Sequence, residues 1–158
     1  MGQMKPHSLR DQKLLAIWAV VCAKRVLPYF EKAFPKDERP REALKVLRTW
    51  IRTGVFSMAV IRKASLDAHA AARKAKSKGN LRACFAARAA GQAVATAHVP
   101  EHAFGPAYYA LKIAALDSNS KVAKELNWQT KHIPKHLRKD WQDFQSQRLP
   151  KSLRSAIK

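Results

Sequence analysis

Alanine dominates residues 64–98, in the phrases "ASLDAHAAARKAK" and "LRACFAARAAGQAVATAH", and this density constrains the fold of the chain more than any other feature. Alanine has the highest helix propensity, and small side chains on facing helices let two backbones approach closely with little loss of side-chain entropy. The intervening "SKGN" is a turn by its Gly and Asn. We therefore predict helices over 57–77 and 80–98 that pack as a tight antiparallel pair.

The other long segments also have the spacing of amphipathic helices. After a capping box at Ser8 and Asp11, apolar residues recur at i, i+3, i+4 and i+7, namely Leu14, Ile17, Trp18 and Val21. Pro28 predicts a kink or a restart of that helix. Residues 37–54 have the features of a complete helix that ends at Gly54.

These patterns predict an all-α fold for the 158 residues. We expect a single-domain bundle of about six to seven helices, with the Ala-rich antiparallel helix pair at its centre. Residues 1–142 would form the domain, and residues 143–158 a basic C-terminal extension. The last quarter holds two related phrases, "WQTKHIPKHLR" and "WQDFQSQRLPKSLR", each with a helix that breaks at a proline, Pro134 or Pro150.

Two features indicate a cytoplasmic protein. No stretch approaches the roughly 20 apolar residues that a membrane span needs, and the first residues lack the apolar core of a secretory signal. Cys22 and Cys84 lie among apolar helical neighbours, without the spacing of paired metal ligands. We therefore expect two buried, reduced thiols and no membrane span.

Histidine pairs recur at the spacing i, i+4 in "HVPEH" (98–102) and "HIPKH" (132–136). On a regular helix this spacing lets two imidazoles share a divalent ion. In the first pair, Pro100 would occupy the first helical turn, so that His98 precedes the helix and His102 lies within it. In the second pair, neighbouring lysines would repel a cation.

A zinc site would also need a third ligand, for which Asp67 and His69 are the obvious candidates. We instead predict hydrogen-bonded histidines near helix starts, with no metal and no other cofactor. The chain also shows no Gly-rich phosphate loop and no nucleophile elbow, and its few close carboxylates lie in basic surroundings. We therefore predict that it is not an enzyme.

The net charge is +20, and residues 83–120, with two basic and two acidic side chains, contribute none of it. Four basic residues fall on the side of the predicted 37–54 helix opposite its apolar face, at Arg41, Lys45, Arg48 and Arg52. Arg62 and Arg73 are eleven residues apart and share one side of the next helix. We predict that these six residues, the basic stripe, bind a partner.

A charge of this size exceeds the net charge of about 2 to 8 that suffices for the solubility of a small domain. It indicates an acidic partner, which could be an acidic protein, nucleic acid or an anionic membrane surface. No DNA-reading module is present, so nucleic acid would be bound through its backbone rather than read by sequence.

Four phrases of the chain are distinctive together: "DERPREAL", "DAHAAAR", "ARAAGQAVATAHVPEHAFGPAYYALK" and "WQTKHIPKHLR". They resemble the immunity proteins of bacterial polymorphic-toxin systems. The resemblance covers about residues 14 to 142 and is most specific over 86–112. The residues that fall on the family's pattern are His98, Pro100, His102, Tyr109 and Trp128.

The resemblance implies a single α-helical domain that acts by binding a partner toxin and not by catalysis. The leading hypothesis is therefore an immunity protein that neutralises a toxin through its basic helical surface. The alternative is a non-specific nucleic-acid-binding protein that uses the same basic helices.

Overall fold

The computed structural model describes residues 6–157, and these residues are all-helical, as predicted. The α-helices are α1 (Leu9–Ala33), α2 (Arg39–Thr53), α3 (Met58–Ser77), α4 (Leu81–Ala95), α5 (Phe104–Ala115), α6 (Asn119–His132), α7 (Arg138–Arg148) and α8 (Lys151–Ile157). Two 3-10 helices span Pro100–Ala103 and Lys135–Leu137. The expected six to seven helices is therefore slightly too low, because the tail that follows Pro150 forms a helix of its own.

Helix α1 begins where the capping box predicts and continues through its proline. The Ser8 hydroxyl accepts a hydrogen bond from the Asp11 backbone N–H at 3.1 Å. The expected restart at Pro28 is wrong, since α1 remains one helix to Ala33. A proline removes one backbone donor, and the burial of neighbours such as Leu27 and Phe30 in the core stabilises the helix on both sides of it.

Helix α2 presents one buried face, formed by Ala43, Leu44, Leu47 and Trp50. It ends at Gly54, whose φ of 70° lies in the left-handed region that favours glycine. Only Val55, Phe56 and Ser57 then connect α2 to α3. The Ser57 hydroxyl caps α3 by accepting a hydrogen bond from the backbone N–H of Val60.

Helices α3 and α4 lie against each other with opposite directions. The Ser65 hydroxyl donates to the backbone carbonyl of Gly91 at 2.9 Å, and the Arg88 guanidinium lies 2.9 Å from the Nδ1 atom of His69. Along these contacts the residue number rises on α3, from 65 to 69, while it falls on α4, from 91 to 88, so the two helices are antiparallel. Asn80 caps α4 as predicted, but the helix ends at Ala95 and not at 98.

The remaining helices close the bundle around an aromatic cluster in which Trp18, Phe104, Trp141 and Phe144 contact one another. Helix α8 packs on α6 and α5 and buries Leu153. The proposed boundary between 142 and 143 falls inside α7, and the division of the chain there stays a prediction.

Both cysteines, Cys22 and Cys84, are buried and carry no disulfide. Burial raises the pKa of the Cys22 thiol well above its usual value. Over residues 6–157, no helix combines the length and the apolar character that crossing a membrane would require.

Candidate partner-binding surface

The basic stripe on α2 divides into a paired and an unpaired half. Arg41 forms an ion pair with Glu31 of α1, and Lys45 pairs with Glu42 at 3.1 Å. Arg48 and Arg52 are exposed, and no acidic side chain within residues 6–157 pairs with either of them. The positive charge of α2 is therefore uncompensated toward its C-terminal end.

On α3 the predicted residues lie in different surroundings. Arg62, near the start of the helix, is exposed and forms no ion pair with the described part of the chain. Arg73 lies one turn beyond His69 and lowers the pKa of that histidine. Arg62, but not Arg73, therefore lies at the same end of the α2–α3 pair as Arg52.

The segment from the first half of α2 to the first half of α3 carries charge of one sign. Residues 43–66 hold five basic side chains and no acidic one. Lys13 of α1 adds a sixth, since its ammonium lies 6.0 Å from the centre of the Trp50 ring and 3.4 Å from where a Cβ on Gly54 would stand. The nearest carboxylates of α2 and α3 flank this segment and are already paired, Glu42 with Lys45 and Asp67 with Lys63, so an acidic surface that approaches the segment meets a net positive charge.

Between these cations lies an apolar ridge, which we define as Val55, Phe56, Met58 and Val60. Their side chains are 74%, 46%, 42% and 52% exposed, respectively. The local fold explains the exposure, because the short connection after Gly54 and the Ser57 cap leave these side chains with no helix above them. The ridge was not predicted from the sequence, although "GVFS" places two apolar residues in a turn where polar residues are usual.

A hollow lies on each side of the ridge. The α2 hollow, about 350 Å³, lies between α2 and α3 and is lined by Glu42, Lys45, Thr49, Trp50, Val55, Val60 and Ile61, among others. The α4 hollow, about 270 Å³, lies between α3 and the end of α4 and is lined by Met58, Arg62, Ser65, Leu66, Ala95 and His98, among others. Predicted stripe residues therefore line both hollows.

The α4 hollow also brings together the two sets of residues that the sequence singled out. His98, from the family pattern, is exposed and stacks on the Phe56 ring with a centroid distance of 6.2 Å. Arg62, from the basic stripe, lines the same hollow. The stacked pair joins the ridge to the segment between α4 and the first 3-10 helix.

The other residues of the family pattern lie elsewhere. Pro100 begins the first 3-10 helix, and the Nδ1 atom of His102 donates to the Gln92 amide oxygen at 2.7 Å. Burial lowers the pKa of His102. The two histidines therefore contact different partners, His98 the Phe56 ring and His102 the Gln92 amide. In residues 6–157, no group of three or more His, Cys, Asp or Glu side chains is placed to bind a metal ion.

Tyr109 and Trp128 are partly buried on two further faces. Tyr109 stacks on Phe85 with a centroid distance of 6.0 Å, and burial raises the pKa of its hydroxyl. Trp128 is covered by the Arg25 guanidinium, 3.7 Å from a ring centre, and stacks on His132 at 4.0 Å. The structure does not bring the family-pattern residues into one site.

His69 is a structural acceptor between the Ala-rich helices. Its Nδ1 atom accepts a hydrogen bond from Arg88, and an arginine can only donate, so that nitrogen carries no proton. Burial, followed by the charges of Arg88 and Arg73, lowers the pKa of His69 to about 4. Asp67, the other candidate ligand, pairs with Lys63 at 2.6 Å.

A larger groove of about 1010 Å³ lies where α1 ends, beside the start of α2 and the middle of α3. Its charges are balanced internally. Arg39 pairs with Asp37 at 2.7 Å, and this hydrogen bond holds the pKa of the Asp37 carboxyl below its usual value. Lys63 is paired with Asp67 here as well. The groove therefore offers little net charge to a partner.

One family model matches most of the chain, over residues 5–136, and its description is "Imm-5 like putative immunity protein". No curated protein and no solved structure matches significantly.

Proposed function

Because the chain belongs to the Imm-5-like family of immunity proteins, we propose that it binds and neutralises a partner toxin through the basic surface around Arg48, Arg52 and Arg62. The observation that supports this surface is the absence of acidic partners for these three exposed arginines within residues 6–157. Uncompensated charge of one sign accelerates the encounter with a surface of the opposite sign.

The proposed action is occlusion, without catalysis. The helical bundle would present a preformed surface, and binding would cover the region of the toxin that its activity requires. We infer that the Ala-rich pair is the rigid centre of this bundle, a role supported by the contacts of α4 with α1, α2, α3 and α5. A rigid surface loses little conformational entropy on binding, and this favours affinity.

Co-expression with any toxin that a neighbouring gene encodes, called the adjacent toxin below, tests the proposal. We expect cells that produce both proteins to grow, and the purified pair to form a complex of fixed stoichiometry. The variant Arg48→Glu with Arg52→Glu should lose protection, while its thermal unfolding stays unchanged because both side chains are exposed. Growth arrest despite full expression of the wild-type chain would contradict the proposal.

Nucleic acid is the alternative partner for the same three arginines, and a salt titration separates the two. A protein that neutralises several phosphates loses affinity steeply between about 50 and 200 mM salt, whatever the base sequence. Tight binding of generic duplex DNA or RNA with such a slope, together with no complex with the toxin, would favour the nucleic-acid function.

A further inference from the structure

We propose that the apolar ridge is the anchor of the toxin contact, and that it receives an acidic segment of the partner whose apolar side chains fill the α2 and α4 hollows. This inference rests on the proposed function and specifies which part of the surface holds the partner and what chemistry the partner presents.

The first argument is the concentration of exposed apolar area. Five of the eleven large apolar side chains that are exposed in residues 6–157 lie between positions 55 and 66. Val55 is the most exposed of them all, at 74%. Apolar side chains scattered singly over a surface are normal, whereas a contiguous group with a polar rim is typical of a protein interface.

The second argument is charge. The ridge lies within residues 43–66, which contain basic side chains and no acidic ones, and its rim includes Arg52 and Arg62. A partner that buries the ridge must bring its own surface against these cations, and only an acidic surface leaves them paired. The basic and acidic side chains that line the larger groove balance each other in number, so the groove lacks this complementarity.

The third argument is shape. Each hollow is large compared with the roughly 30 Å³ that one water molecule occupies in the liquid, and ridge residues line both, Val55 and Val60 in the α2 hollow and Met58 in the α4 hollow. The Trp50 ring lines one hollow, and the His98 ring, stacked on Phe56, lines the other. Pockets that a partner can fill and close off from water are typical places for the few side chains that dominate binding energy.

The same features favour a protein over nucleic acid. A phosphate backbone would satisfy the arginines, but it has no apolar side chain for the hollows and would leave the ridge in contact with charge. An amphipathic acidic segment satisfies both the ridge and the rim.

Two variants of the chain distinguish the contribution of the ridge to binding from that of exposed apolar side chains elsewhere on the surface. Phe56→Ser with Met58→Ser removes the ridge, and Leu81→Ser with Leu116→Ser removes two side chains that are exposed to the same degree, 44% and 42%, at other places. We expect the ridge variant to bind the adjacent toxin at least tenfold more weakly than wild type, and the control variant to bind within twofold. Thermal unfolding should confirm that both variants fold.

A second probe keeps the test independent of the toxin. It is a synthetic acidic helical peptide with Leu and Phe along one face, compared with a peptide of equal charge in which these residues are Ser. The wild-type chain should prefer the apolar-faced peptide at least tenfold, and the ridge variant should lose that preference.

The outcomes are distinguishable. Failure of the wild-type chain to bind the toxin would overturn the proposed function. The two peptides would still test whether the ridge binds an acidic segment with an apolar face. Toxin binding that is equal for wild type and the ridge variant would overturn the ridge alone. Equal affinity for the two peptides would also overturn it, since charge would then suffice.

Discussion

His69 is a side chain that this fold holds in its neutral form, and its titration should be visible in the stability of the protein. Its pKa is lowered to about 4 by burial and by Arg88, Arg73 and His102, whereas an unfolded histidine titrates near 6.5. Above that value both states are neutral, and the stability is complete. As the pH falls toward 4, the unfolded state gains a proton that the folded state does not, so stability is lost across this window.

We expect His69→Gln to flatten the pH dependence between about 6.5 and 4. The loss attributable to His69 should be about 2 kcal/mol after allowance for its partial exposure. Glutamine cannot titrate, and its amide oxygen can still accept from Arg88. Urea unfolding of wild type and variant at several pH values measures the effect. Stability should still fall somewhat with pH in the variant, because burial also lowers the pKa of His102. The same pH dependence in variant and wild type would show that His69 does not cause the loss.

At the scale of helices, the contact between α3 and α4 depends on a glycine. A Cβ on Gly91 would stand 2.7 Å from the Nε2 atom of His69, closer than such atoms approach in proteins. Gly91→Ala should therefore destabilise the fold by about 1 to 3 kcal/mol, although alanine is the better helix former.

A double-mutant cycle identifies the cause. With His69→Ala in the background, the obstruction is removed, and Gly91→Ala should become neutral or stabilise by up to about 1 kcal/mol. Chemical unfolding of the four proteins gives the coupling free energy. Equal costs of Gly91→Ala in both backgrounds would show that the His69 ring is not what the glycine accommodates.

How far the sequence predicts an element depends on whether its signals are local. Ser8, Ser57 and Asn80 cap helices as expected, because a cap is an interaction within one turn. The restart expected at Pro28 does not occur, since the packing of neighbouring side chains in the core outweighs one missing hydrogen bond. The tail helix α8 is short, and its packing against α6 and α5 cannot be seen in the tail itself.

At the scale of the whole molecule, the pattern of charge matters more than its total. Helical spacing placed Arg41 and Arg48 on one stripe, but it could not show that Glu31, on another helix, would neutralise the first of them. The apolar ridge was not predicted either, because the exposure of a side chain depends on which other helices cover it, and helical spacing within one segment does not show this. The sequence therefore predicted where basic residues lie, and the fold determines which of them are available to a partner.

Neutralising the two halves of the α2 stripe tests this distinction. Arg48→Gln with Arg52→Gln removes unpaired charge and should slow association with the toxin by about tenfold at low salt. Arg41→Gln with Lys45→Gln removes the same formal charge from paired positions and should have a smaller effect. Stopped-flow association rates measure both, and equal effects of the two variants would mean that only the net charge matters.

The most direct measurement of the central claim is amide hydrogen exchange of this chain with and without the adjacent toxin. We predict that binding slows exchange over residues 52–66, which hold the end of α2, the ridge and the start of α3. The face of α1 and α6 around Trp128 should exchange as in the unbound protein. Protection confined to that face, with 52–66 unchanged in a stable complex, would contradict the account.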